Sequence, residues 1–353
     1  MRDGDELLTP ADLAKLQSDR TWKTSLLADD LQKLAAVAAS DELRLLVETL
    51  EIRDDYTEVW NPAPPEGPNI WKRDSKGRVQ SSILGINTLK RMLLARLLQP
   101  SRIVIRDVCS ERIGSDAEHA AAFSWDIVDG AGLAIEGFQM QRDTQTTTVV
   151  DVSLSREHQG QVLDLSLLRH ARLIINCDFR PRWVTEILYH APLLQELHLA
   201  FTKAQDSWQI EPHIQAAMPL PKLRVLEVSN AMISADTILA LLSWSGQSLQ
   251  SLAFRTVCLT AGADWQDLLC LLASRCRQLT HFVLKALSCG PTASSKVRFH
   301  DVSKDTVKQQ SCFGLEVSQK TRIEGKPVWG VEYQGDNATE VLKDVAACLS
   351  NRT

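Results

Sequence analysis

The chain has 353 residues, 44% of them hydrophobic and 24% charged, and a formal net charge of −5. Those proportions exclude a globally disordered chain. A net negative charge without a basic stripe speaks against nucleic acid as a partner. No run approaches the ~18 consecutive apolar residues of a membrane span, and the acidic start MRDGDELLTP lacks the apolar core of a secretory signal. The eight cysteines form no C-x-x-C pair, which points to reduced, apolar fillers in a cytoplasmic or nuclear protein.

In chain order, residues 1–46 read as a helical N-terminal cap, with Leu31, Leu34, Ala35 and Ala38 as its apolar stripe. A short apolar frame follows at Val47, Leu50 and Ile52. Residues 54–80 hold four prolines and two glycines and read as an inserted surface loop carrying Trp60 and Trp71. Leu89, Met92, Leu93 and Leu97 fall on one helical face before a strand at Ile103 and Ile105. Ile135, Phe138 and Met140 repeat the frame, and Leu168, Ala171 and Leu173 give a degenerate copy. Trp183, Ile187 and Leu188 mark a short helix after Pro181.

From there the pattern becomes regular. An L-x-x-L-x-L frame occupies Leu194/Leu197/Leu199, Leu223/Leu226/Val228, Leu249/Leu252/Phe254 and Leu279/Phe282/Leu284, with starts 29, 26 and 30 residues apart. Between the frames the period switches from 2 to 3.6. Ile238, Leu241 and Leu242 follow a cap at Ser234, while Trp265, Leu268, Leu269, Leu272 and Cys276 follow one expected at Thr260. Residues 286–353 break the period and read as an irregular segment and a C-terminal cap. That cap would hold strands at Phe313/Leu315/Val317 and Val331/Tyr333. Its final helix would start near Asn337 and bury Val341, Leu342, Val345 and Leu349.

Self-similarity at this period predicts stacked strand-plus-helix units, none able to bury its own apolar face alone. The predicted fold class is α/β: a leucine-rich-repeat solenoid of about eight to nine repeats, with parallel strands on the concave face and helices on the convex face. The array spans residues 47–285 between the two caps. Well-behaved repeats place Asn or Cys three residues after the last frame leucine, where it bonds to the loop backbone. Here those positions hold Thr202, Ala231, Val257 and Leu287, so the turns must satisfy their backbone groups in other ways.

VETLEI, LPKLRVLEVSNAMIS, QSLQSLAFRTVCLT and VEYQGDNATEVLKDV resemble the leucine-rich-repeat regions of fungal F-box-like proteins, over roughly residues 28–349. The resemblance implies the substrate-recognition part of a cullin-type ubiquitin ligase, in which an F-box docks a Skp-type adaptor and the repeats hold the target. An F-box itself is not evident, since LLTPADLAKL is only a faint echo of one.

Frame residues are core, so binding must use the positions between them, which face out from the strands. Two outward rows pass through Glu51, Val104, Gln139, His198, Glu227, Ala253 and Val283, and through Arg53, Arg106, Gln141, Ala200, Ser229, Arg255 and Lys285. Arg53, Arg106, Gln141, His198, Glu227, Arg255 and Lys285 are the candidate partner-binding residues, with Trp60 and Trp71 as aromatic anchors. Cations at both ends of the second row suit an acidic or extended segment of a protein target. G-x-S-x-G, H-E-x-x-H and Walker A signatures are absent. The expectation is therefore an interaction module, as ligase receptor or as unconnected scaffold, with no catalytic, cofactor or metal site; an enzyme without a recognisable motif is the remote alternative.

Overall fold

A computed structural model describes residues 8–26, 28–53, 84–107, 117–143, 147–159, 164–175, 182–216, 220–243, 245–260, 264–290, 295–299 and 330–351. The chain is α/β, with mostly parallel strands covered by helices. It divides into two compact units, Met1–Leu168 and Arg169–Thr353. No helix among the described residues is long and apolar enough to cross a membrane.

The first unit opens with α1 (Pro10–Asp19), whose start is set by Thr9. Its hydroxyl accepts from the Asp12 backbone and its own N–H donates to the Asp12 carboxylate, a reciprocal cap with Pro10 preset at the first turn. Arg20, in the left-handed region at φ 50°, ends the helix and turns the chain into β1 (Thr21–Thr24). Then come α2 (Ala28–Ala39), α3 (Asp41–Arg44), β2 (Thr49–Arg53), α4 (Leu84–Leu94), β3 (Arg102–Asp107), α5 (Ala117–Gly130), β4 (Leu133–Asp143) and β5 (Thr147–Gln159). Strands β1, β2 and β3 are parallel, with Trp22 opposite Leu50 and Leu50 opposite Ile103.

Three expectations need correction here. The N-terminal segment is not purely helical: β1 pairs with β2, and the buried Trp22 lies on a strand. Not every strand is parallel either. β5 follows β4 with no crossover helix and lies antiparallel between β3 and β4. Its Val150, Val152 and Leu154 are buried and alternate with Asp151 and Ser153, a period-two pattern lacking the repeat frame. The stripe of α2 uses Val37 rather than the exposed Ala35, and Leu98 replaces the 42% exposed Leu97. The insertion at 54–80 lies outside the described residues.

The second unit contains β6 (His170–Ile175), α6 (Arg182–His190), β7 (Glu196–Phe201), α7 (Ser207–Ala216), β8 (Val225–Ile233), α8 (Ala235–Leu242), β9 (Ser251–Leu259), α9 (Trp265–Arg275) and β10 (His281–Lys285). Strands β6 to β10 are parallel and in register. Leu197, Leu226, Leu252 and Phe282 form one column, and Leu199, Val228, Phe254 and Leu284 a second. Both columns are fully buried. Ser234 caps α8 as expected, but α9 is capped by Asp264 rather than Thr260, its carboxylate accepting from the Gln266 N–H.

Each of β8, β9 and the end of β10 then does something the frame does not announce. Asn230, Thr256 and Ala286 adopt φ of 53°, 56° and 54° at equivalent positions. One left-handed residue shifts the alternation by one place, which sends Ala231, Val257 and Leu287 into the core. Asn230 also supplies backbone bonding of the kind a repeat needs, since its amide donates to Phe201 O at 2.6 Å and Thr202 O at 3.1 Å.

Beyond β10, only the pairing of β11 with β9 is parallel among the described residues; the others are antiparallel. β11 (Ser288–Cys289) pairs with β12 (Ser295–Phe299), and β13 (Gly330–Gln334) pairs with β10. The expected terminal helix is α10 (Ala338–Ala347), which buries Val341, Leu342 and Val345. Leu349 instead starts β14 (Leu349–Asn351), antiparallel to β12. Phe313, Leu315 and Val317 lie outside the described residues.

Leu226→Ala should lower unfolding free energy by about 2–5 kcal/mol, because the core column cannot close over the lost side chain. Thr256→Asn should raise it by about 0.5–1 kcal/mol, since Asn tolerates the left-handed region better than a β-branched residue. Urea titrations with unchanged slopes would measure both.

Candidate functional site

In the first unit, the inward residues of β2, β3, β5 and β4 are apolar, so the residues between them meet on the opposite face of the sheet. Glu51, Val104, Asp151 and Gln139 form the central row, with Lys23 at its β1 end. Arg102 lies to one side of that row, and Arg53, Arg106 and Gln141 to the other. A pocket of about 360 Å³ on this face is lined by Arg102, Arg106, Glu51, Asp151, Gln139 and Gln141, together with Thr21, Thr49, Val104 and Val149. Lys23 and Arg53 stand beside it and reach it only through Glu51.

Glu51 is its electrostatic centre and only 6% exposed. Burial by itself would push the Glu51 carboxyl up. A hydrogen bond from Arg53 and the charges of Arg53, Arg106 and Lys23 overcome that penalty and hold it below the usual carboxylate range. Arg53 Nε donates to Oε1 at 2.6 Å, and Arg106 Nε lies 2.5 Å from the same oxygen, out of hydrogen-bond alignment. Lys23 Nζ is 4.0 Å from Oε2. Asp151 takes a bidentate fork from Arg102, with Nε at 2.8 and 3.0 Å from its two oxygens and a terminal nitrogen also in contact. The four cationic side chains remain 32–53% exposed and reachable from solvent.

In the second unit the outward columns are also bonded across strands. His198 Nδ1 donates to Glu227 Oε2 at 2.9 Å, and Arg255 Nε to Glu227 Oε1 at 3.0 Å. The hydrogen bond from His198, followed by the charges of His198 and Arg255, outweighs burial and brings the Glu227 pKa down to about 2. His198 Nε2 is buried with no partner among the described residues. Lys285 is exposed beside Arg255 in register.

A Ser–His–carboxylate chain also crosses this face: Ser251 Oγ is 2.8 Å from His281 Nδ1, and His281 Nε2 is 3.2 Å from Glu332 Oε1. Its setting differs from that of an activated nucleophile. Ser251 lies at the start of a regular strand, and the backbone N–H groups of Ser251 and His281 are already donated to Arg224 O and Gln250 O. They cannot also stabilise an oxyanion. Burial pushes the Cys276 and Cys289 thiols up to about 11, which makes both poor thiolates.

The structure therefore brings Arg106 and Gln141 to one pocket, with Val149 of β5 between them, and leaves Arg53 beside it, bonded to Glu51. It brings His198, Glu227 and Arg255 into one bonded cluster. Trp60 and Trp71 lie outside the described residues. The sequence reading missed Lys23, Arg102 and Asp151 as site residues. Lys23 sits on the unrecognised β1 and Asp151 on the unrecognised β5, whereas Arg102 stands one residue before the strand's apolar pair. A comparison of the chain with known family models and with curated proteins finds no match.

Because Glu227 is held low, its contribution to stability is complete above the ordinary carboxylate range and disappears as pH falls toward 2. Glu227→Gln should flatten the decline in stability between about pH 5 and 2, measured by denaturation at each pH.

Proposed function

We propose that the chain is a leucine-rich-repeat-type interaction module that receives an extended, acidic segment of a partner protein on its outward strand face. The observation carrying this reading is the charged cluster formed by the polar pocket of the first unit and by Lys23 and Arg53 beside it. Four cations and two carboxylates give that cluster a formal surplus of two positive charges within a chain whose total is −5. Local positive potential in an otherwise negative protein steers acidic ligands to one place and repels them elsewhere. The solenoid architecture is supported by frames at a period near 28 residues that stack in register through β7, β8, β9 and β10.

Recognition of a segment by such a face relies on outward side chains alternating with the core columns, so specificity lies in charge placement rather than in one deep cavity. The ubiquitin-ligase setting implied by the resemblance is a narrower form of the same proposal. Co-purification of a Skp-type adaptor with the chain in its full-length protein is its test, and failure to recover the adaptor would discard that narrower form.

Titration with Asp/Glu-rich peptides, read by fluorescence anisotropy, tests the module. Lys23→Glu with Arg102→Glu should weaken binding about tenfold or more and reduce its salt dependence. Arg255→Glu with Lys285→Glu should weaken it less, because Arg255 is already committed to Glu227. Equal binding by both variants and the parent protein would sink the acidic-segment reading.

A further inference from the structure

The pocket of the first unit has more specific chemistry than general attraction to acid. Its two carboxylates are already consumed: Asp151 by the Arg102 fork, and Glu51 by Arg53, Arg106 and Lys23. What faces a ligand is what those pairings leave over. Arg106 in the lining and Arg53 beside it approach Glu51 through Nε, and no other described residue engages their terminal nitrogens. Gln139 and Gln141 add amides, and Thr21 and Thr49 add hydroxyls on the rim. The floor is Val104, an apolar surface between Arg102 and Arg106, two places either way along β3.

We infer that this pocket binds a phosphoryl group, a phosphomonoester dianion held by the terminal nitrogens of Arg106 and by the Arg102 Nη1 that the fork to Asp151 does not use. Three observations converge. Arg102 and Arg106 balance Glu51 and Asp151 in the lining, and Lys23 and Arg53 beside it add a surplus of two positive charges, which matches the charge of a phosphomonoester at neutral pH, about −1.5 to −2. Guanidinium terminal N–H groups present the planar fork that phosphate oxygens accept, whereas a carboxylate offers only two oxygens and one charge. The volume of about 360 Å³ exceeds what a bare anion needs and admits the side chain or small molecule carrying it. The inference deepens the interaction reading and rests on it only for the source of the phosphoryl group, a phosphorylated side chain within the partner segment.

Calorimetric titration of the intact chain with four probes separates the possibilities: a phosphoserine peptide, its glutamate counterpart, free phosphoserine and inorganic phosphate. The phosphoserine peptide should bind about tenfold or more tightly than the glutamate peptide. Arg106→Gln should remove most of that preference. Because it also strips a partner from buried Glu51, a second variant guards against simple misfolding. Asp151→Asn releases Arg102 and should tighten phosphopeptide binding severalfold, a gain that damage to the fold would not produce. Free phosphoserine or phosphate binding as tightly as the peptide would keep the phosphoryl site but assign it to a small phosphomonoester. Equal affinity for both peptides, or no tightening in Asp151→Asn, would overturn the phosphoryl inference. Retained binding of acidic peptides in that case would leave the interaction module standing.

Discussion

Register is the constraint on which the rest depends. In β7, β8, β9 and β10 the frame residues lie opposite one another strand after strand, so Leu226 is covered by Leu197 and Leu252 as well as by the helices. Side chains alternate along a strand, and a slip of one residue would turn every buried leucine outward. The cost of such a slip rises with each strand added, because each contributes two or three fully buried residues. A consequence follows for the other face. Once the leucines are fixed, the neighbours of Glu227 are fixed as well, and His198 and Ala253 must flank it in register. The outward surface is thus a product of the core, although the core residues say nothing of what binds there.

The left-handed residues extend this logic. A strict alternation would stop contributing apolar contacts to the core soon after the second frame residue, because the chain must leave the sheet. Reversal of φ at Asn230, Thr256 and Ala286 resets the phase, so Ala231 with Ile233, and Val257 with Leu259, return to the interior. The burial offsets the strain once two side chains return: about 1–3 kcal/mol is lost at a non-glycine left-handed residue, against about 1.5–3 kcal/mol gained for each large apolar side chain buried, as with Val257 and Leu259. Only at Asn230 does the side chain return a further contribution, by bonding to two carbonyls of the preceding turn.

What was legible in the sequence followed burial. Frame residues and the apolar faces of α8, α9 and α10 could be placed because a leucine at helical or strand spacing has one favourable position. The strands β1 and β5 were not legible, for different reasons. TWKT is too short to show a period, and the alternation of Val150, Val152 and Leu154 carries no leucine frame to distinguish it from a loop margin. The site inherited those gaps. Arg53, Arg106 and Gln141 could be named from the positions between frame residues. Lys23 and Asp151 could not, since their strands were unknown, and the ion pairs joining the group are long-range contacts without a sequence signature. The cap at Asp264 rather than Thr260 is a smaller case of the same kind, because both residue types serve as caps and only the helix start decides between them.

The most demanding feature of the pocket is Glu51. Burying a carboxylate costs several kcal/mol unless its charge is matched, and removing one partner from such a group is more damaging than replacing the whole set. Lys23, Arg53 and Arg106 satisfy it together and are thereby drawn inward from three adjacent strands. A single carboxylate cannot neutralise three cations, so the same side chain that gathers the charges also leaves them in excess. Any anion entering the pocket must compete with Glu51 for the same guanidinium groups. A second carboxylate brings only the charge that Glu51 already supplies at close range with its desolvation already met by the fold. A doubly charged ligand with three acceptor oxygens can engage the terminal nitrogens while leaving the Nε contacts in place. The buried glutamate is therefore both the scaffold of the cationic cluster and the competitor that sets how strongly charged its ligand has to be.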